Sequence, residues 1–187
     1  MNKKIIGVVA CGAVAASMAI GASAEDGLIK VGYAQVGHES DWRTANTQNY
    51  QDVFTEENGY ELSFVDCDND NAAQIEAVRN FINQELDYII IAPIQSAGWD
   101  TVLQEAQDAG IPVIIADREI EASDELYDAW VGTNTTNEGI TAGNWLAEYM
   151  DGKEANILVI EGSVGASAAL GRTDGFNQVA ADHDEWT

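Results

Sequence analysis

The sequence predicts an α/β fold built on a doubly wound parallel sheet, and three observations carry that expectation. Two continuous apolar runs, residues 88–92 and 113–116, are short enough for strands and lack the alternation of a sheet with one wet face. Between them Val102, Leu103, Ala106 and Ala109 fall at helical spacing, with Pro93 closing the first run, Gly110 stopping the helix and Pro112 opening the second run. Strand and helix patterns then keep alternating along the chain. A β-α-β crossover of this kind is nearly always right-handed and makes its strands parallel. Pro93 and the pair Asp117-Arg118 are therefore expected on one edge, where open parallel sheets bind their ligands.

The chain begins with Lys3 and Lys4, an apolar small-residue stretch from 5 to 22, and Ala22-Ser23-Ala24 before Glu25. This reads as a cleaved export signal over residues 1–24. A membrane anchor or lipidation at Cys11 are the alternatives, ranked below cleavage. The formal charge is −24, and loss of the two lysines makes the remainder more acidic still. Nucleic acid is disfavoured as a partner, because a phosphate backbone needs a basic stripe. Cys67 is the one cysteine left after cleavage, expected as a buried apolar residue at a strand end.

Residues 29–36 read as the first strand. A polar loop, His38-Glu39-Ser40-Asp41-Trp42-Arg43, leads into an amphipathic helix reaching about Asn58-Gly59. Residues 60–65 make a second strand. The run Asp68-Asn69-Asp70-Asn71 can cap a helix whose apolar face is Ile75, Val78, Phe81 and Ile82. After the two runs already described, a polar segment leads to a shorter strand at 130–132. A lobe of residues 25–132 results. From 133 to 187 the pattern restarts. A helix begins at Asn134 to Thr136 with Ile140, Trp145, Leu146 and Met150 inside, a buried strand spans 157–160, and a helix runs through Phe176 and Val179. One strand and two helices cannot cover each other as a several-stranded sheet does, so this part is expected to be the incomplete start of a second α/β lobe.

Catalytic patterns fail one by one. Glu161 stands where a G-x-S-x-G elbow needs glycine, and His38 and His183 lie too far apart in sequence to suggest an ordinary zinc set. Asp66, Asp68 and Asp70 imitate the start of a calcium loop, but Asn71 and Ala77 replace its glycine and glutamate, so capping is the better account. No cofactor is implied and an enzyme is disfavoured. What remains suits a polyol. Trp42 can lie against the C–H face of a sugar ring, Arg43 and Arg118 can fork donors to hydroxyls, and Asp117 can accept from others. The plainer alternatives are a core-packed Trp42 and an Asp117-Arg118 surface ion pair.

Four stretches, VGYAQVGHESDWR, QIEAVRNFINQELDYIIIAP, GWDTVLQEAQDAGIPVIIADR and EGSVGASAALGRTDGF, resemble the periplasmic sugar-binding proteins of ABC transporters, with the ribose-binding-protein fold. The resemblance implies a periplasmic binding protein type I architecture: two lobes, a hinge, and a monosaccharide, galactofuranose-like by preference, held between them without chemical change. It implies an exported protein, periplasmic or at the cell surface, that presents its ligand to a membrane permease. By position it puts Ser40, Trp42 and Arg43 at the sugar, with Asp117, Arg118 and, on the facing lobe, Arg172; Asn134 near the crossover is a weaker candidate. The rivals are the effector domain of a sugar-responsive regulator and a secreted α/β hydrolase.

Overall fold

The structure, a computed structural model, describes residues 27–187. The expected export signal and Cys11 lie outside them. Five parallel strands, β1 (Ile29–Gln35), β2 (Tyr60–Asp66), β3 (Tyr88–Ile91), β4 (Val113–Asp117) and β5 (Ala129–Gly132), form one sheet in the order β2-β1-β3-β4-β5. The order reverses between β1 and β3, which opens a crevice at their carboxyl ends. Helices α1 (Asp41–Val53), α2 (Asn71–Asn83) and α3 (Asp100–Asp108) cover the faces. The apolar runs are strands because they are buried on both sides: Ile89, Ile91 and Ile115 are fully inaccessible.

Local signals behave as their chemistry dictates. Asp70 caps α2 by accepting from the backbone N–H groups of Ala72 and Ala73 at 2.8 and 3.1 Å, so the acidic run is a cap. Gly110, at φ +74°, takes the left-handed turn that ends the α3 segment, with Ala109 left exposed just past the last helical turn. Cys67 is buried, and its thiol is pushed from 9.0 to about 12 by burial and by the charges of Asp66 and Asp70. The sign follows. Above pH 9 the unfolded chain ionises this thiol and the folded chain does not, so stability is undiminished below pH 9 and falls as pH rises toward 12. In a Cys11→Ser background, a thiol reagent at pH 8 is expected to leave the native protein unlabelled and to modify Cys67 fully in urea. Labelling of native protein at the unfolded rate would refute the burial.

Four expectations are corrected. The first helix ends at Val53; a separate 3₁₀ turn, Glu56–Asn58, precedes the left-handed Gly59. The buried face of α1 is not apolar but consists of Arg43, Asn46, Thr47 and Tyr50 at helical spacing, with Tyr50 stacked 4.0 Å from Tyr33. Residues 157–160 form no strand. Leu158 and Ile160 are 86 and 89 % exposed, because a strand exists only against a neighbour, and here the backbone pairs solely at Ala155 and Ile157 with residues 185–187. Trp145 is not an inner residue: it is exposed and stacks on Tyr149 at 5.3 Å.

The physical reason for the last point is how α4 (Thr135–Met150) meets α5 (Ser167–Ala180). These helices run side by side in parallel, and small residues form the seam: Gly139 and Gly143 on α4, Gly171 and Gly175 on α5. A Cβ on Gly139 would collide with the carbonyl of Arg172, and one on Gly175 with the carbonyl of Thr136. Side chains as large as indole find no room in that seam. The α5 side is tied to the sheet by the Ser96 N–H, in the loop after β3, which donates to the carbonyl of Gly165 at 2.8 Å.

Candidate functional site

The carboxyl edge of the sheet is fixed from behind by buried amides. Gln74 of α2, fully inaccessible, donates to the carbonyls of Ala34 and Ala92 at 3.1 and 2.6 Å and accepts from the N–H of Ile94 at 2.9 Å. One side chain thus joins the ends of β1 and β3 across the crevice. Gln35 donates to Asn46 and Thr47 at 3.0 Å each, and the Tyr33 hydroxyl donates to Asn46 at 2.9 Å. These bonds dock α1 through polar groups and so set where its first turn points.

That first turn carries the site. Ser40 caps it, its Oγ accepting from the Arg43 N–H at 3.2 Å. Trp42 is 58 % exposed, so the core-packed alternative is wrong, and the Arg43 guanidinium lies 4.8 Å from its ring centroid. Arg43 is 2 % exposed and reaches inward: Nη2 donates to Asp117 at 2.7 Å and Nε to Glu39 at 3.1 Å. Burial alone would weaken its charged form, but the hydrogen bond and charge of Asp117, with help from Glu39, raise its pKa above the ordinary value. Its third nitrogen, Nη1, is buried without a protein partner. A buried, charged, unpaired donor is costly unless something else accepts from it.

Asp117 sits at the end of β4 with φ +67°, a left-handed backbone that is uncommon and mildly strained for a residue with a side chain. It turns toward Arg43, not toward its neighbour, so the local Asp117-Arg118 pair does not form. Arg118 is held more loosely, with its Nη2 3.4 Å from Glu39 and its Nη1 3.5 Å from the Pro93 carbonyl. Burial first, then the nearby charges of Arg43 and Arg172, lower its pKa, with Asp117 and Glu39 opposing. Arg172 projects from α5 and donates from Nε to Glu138 at 2.7 Å. That bond, above all, lowers the pKa of the Glu138 carboxyl.

Trp42, Arg43, Asp117 and Arg118, far apart in sequence, therefore meet on one rim, with Arg172 close enough to influence Arg118 electrostatically. The Asn134 side chain caps α4, its Oδ1 accepting from the N–H of Asn137 at 2.9 Å. Glu39 was not singled out by the sequence, although its i, i+4 spacing to Arg43 was a readable sign of pairing. A cavity of about 730 Å³ lies beside the rim, touching it through Arg118 and Arg172. Its wall is otherwise made by α4, α5, Ala166 and the segment 157–163, of which the apolar residues 157–160 suit a sheet face better than a polyol. Among the described residues no cluster of three or more His, Cys, Asp or Glu is placed to hold a metal ion.

A buried arginine clamped by acids thus lies at the carboxyl edge of the parallel sheet, flanked by an exposed indole. Residues 31–187 match the family described as the periplasmic binding protein domain. The chain belongs to that family. It is 41 % identical over 177 residues to the galactofuranose-binding protein YtfQ of Escherichia coli (strain K12), an alignment covering 94 % of this chain and 54 % of that protein. Among solved structures it is similar to the periplasmic binding protein of an arabinose ABC transporter from Shewanella sp. ANA-3, bound to α- and β-L-arabinofuranose. The identity there is 40 % and the TM-score 0.77, covering 84 % of this chain and 52 % of the other. A Mycobacterium smegmatis protein in complex with β-D-fucofuranose aligns at 38 % identity and TM-score 0.80, covering 85 % and 53 %. The chain spans about half the length of the relatives it matches. Its sheet and flanking helices have the periplasmic binding protein type I fold.

Proposed function

We propose that this chain is the sugar-recognising part of an exported solute-binding protein of an ABC-type importer. It holds a neutral monosaccharide in furanose form between two lobes and hands it unchanged to a membrane permease. The observation that carries this reading is the unpaired buried Nη1 of Arg43 at the carboxyl edge of the sheet, with Asp117 beside it and Trp42 exposed above. A ring hydroxyl can accept from that donor while giving its own proton to an Asp117 oxygen, and the ring's C–H face can lie on the indole. Arg118 lies beside Glu39 on the same rim, Arg172 lines the adjoining cavity with it, and Ser40 and Asn134 act as caps that hold their helices in register with the rim. No step of chemistry is required of any of these groups, and a surface this acidic has no use for nucleic acid. The relatives named for galactofuranose, arabinofuranose and fucofuranose support the furanose preference.

Thermal unfolding with neutral sugars tests the proposal. A sugar that binds only the folded chain adds about 2.7 kcal/mol at a hundredfold excess over Kd, or roughly 5–10 °C in Tm for a domain of this size. L-arabinose and D-galactose, both of which supply furanose forms, are expected to produce such a rise. No shift with any neutral pentose or hexose would refute the reading.

A further inference from the structure

From the geometry of the rim, and resting on the sugar-binding reading above, we propose that Glu39 is a positioning residue that sets the specificity of the site for neutral over anionic sugars. Three guanidiniums, those of Arg43, Arg118 and Arg172, converge on one side of the molecule. Such a cluster would by itself be a carboxylate or phosphate receptor, since a planar fork matches those groups. Each guanidinium is instead answered within the chain: Arg43 by Asp117 and Glu39, Arg118 by Glu39, Arg172 by Glu138.

Glu39 differs from the other two acids in serving two cations with one atom. Its Oε1 lies 3.1 Å from Arg43 Nε and 3.4 Å from Arg118 Nη2, while its Oε2 has no protein partner among the described residues. The two arginines repel, and the shared oxygen between them offsets that repulsion. Neither Arg43 nor Arg118 therefore presents an unopposed charge to a ligand. An arriving carboxylate would have to displace Glu39 and face its negative charge at close range, whereas a hydroxyl meets a neutral lattice of donors and acceptors. Glu39 side chain exposure of 30 % places it where ligand and solvent both feel its charge.

The test compares D-galactose with D-galacturonate, which differ at C6 alone, against the parent chain, Glu39→Gln and Glu39→Asp. Calorimetric titration gives both affinities for each variant, and circular dichroism melting checks folding. Glu39→Gln keeps an acceptor for Arg43 and removes the charge. It is expected to shift the ratio of affinities toward galacturonate by about ten-fold or more, the scale of one charged hydrogen bond, while Glu39→Asp keeps the parent preference. Equal losses for both sugars in Glu39→Gln would overturn the proposal, because a merely structural side chain weakens both alike. A parent chain that binds galacturonate as well as galactose would overturn it too, leaving the sugar reading intact. A parent chain that binds neither, nor any other neutral sugar, defeats the sugar reading and this proposal with it.

Discussion

Arg43→Met is expected to weaken sugar binding by about 100-fold or more, the cost of truncating one partner of a buried, hydrogen-bonded charge pair. It is also expected to lower stability by roughly 1–3 kcal/mol. The two effects have different origins. Binding fails because the rim's buried donor without a protein partner is the one removed, and because the Asp117 carboxylate, released from Nη2, is free to swing out of register. Stability falls because Asp117 and Glu39 lose their shared cation. Each keeps about a third of its side chain in contact with water, so the loss sits below the range for fully buried pairs. Arg43→Lys should not rescue binding. A single ammonium cannot reach Glu39 through one nitrogen, Asp117 through a second and a ligand through a third. Calorimetric titration and urea unfolding on the two variants separate the effects. An Arg43→Met protein that binds sugar as the parent does would remove the central donor from the proposed mechanism.

The sheet was legible because its signal is the one the physics writes most plainly. A strand buried on both faces must be apolar at every position, and 88–92 and 113–116 are. Its edge was legible too, since the residues just past each strand are fixed by topology once the crossover hand is known. The same signal misled at 157–160: an apolar run states what a segment would bury, not whether a neighbour is there to bury it, and Leu158 and Ile160 stand in solvent. The interior of α1 was illegible for the opposite reason. Arg43, Asn46 and Thr47 are held by Asp117, Tyr33 and Gln35 through hydrogen bonds between distant residues. Hydrophobic periodicity is blind to polar docking of that kind. Gln74 belongs to the same class: a glutamine among apolar neighbours reads as a surface residue until its three backbone partners are known. Functional sites of this fold are where polar groups replace the core, so the pattern fails where the chemistry begins.

Gly175→Ala is expected to destabilise the α4–α5 pair by about 1–2 kcal/mol, and two opposing terms decide the sign. Alanine favours a helix over glycine by roughly 1 kcal/mol. Against this, the new methyl would occupy the space of the Thr136 carbonyl oxygen and press on the Ile140 nitrogen at 2.9 Å. These are backbone atoms of a neighbouring helix that cannot rotate aside, so the helices must part, and overpacking of this kind costs typically 1–3 kcal/mol and sometimes more. Gly143→Ala gives the graded control. Its added Cβ meets only the side chain of Val179, at 2.8 Å from its Cβ, and a small tilt or rotamer change can relieve part of that crowding, so the loss should be smaller. Separation of the helices also moves Arg172, whose carbonyl packs against Gly139 and whose guanidinium is anchored to Glu138 across the same seam. Gly175→Ala should therefore weaken sugar binding as well as stability, while leaving the thiol of Cys67, buried just past the end of β2, as protected as in the parent. Urea unfolding, sugar titration and thiol labelling on the two glycine variants follow all three quantities. Equal and small losses at Gly175 and Gly143 would mean that the helices do not cross as closely as their glycines allow.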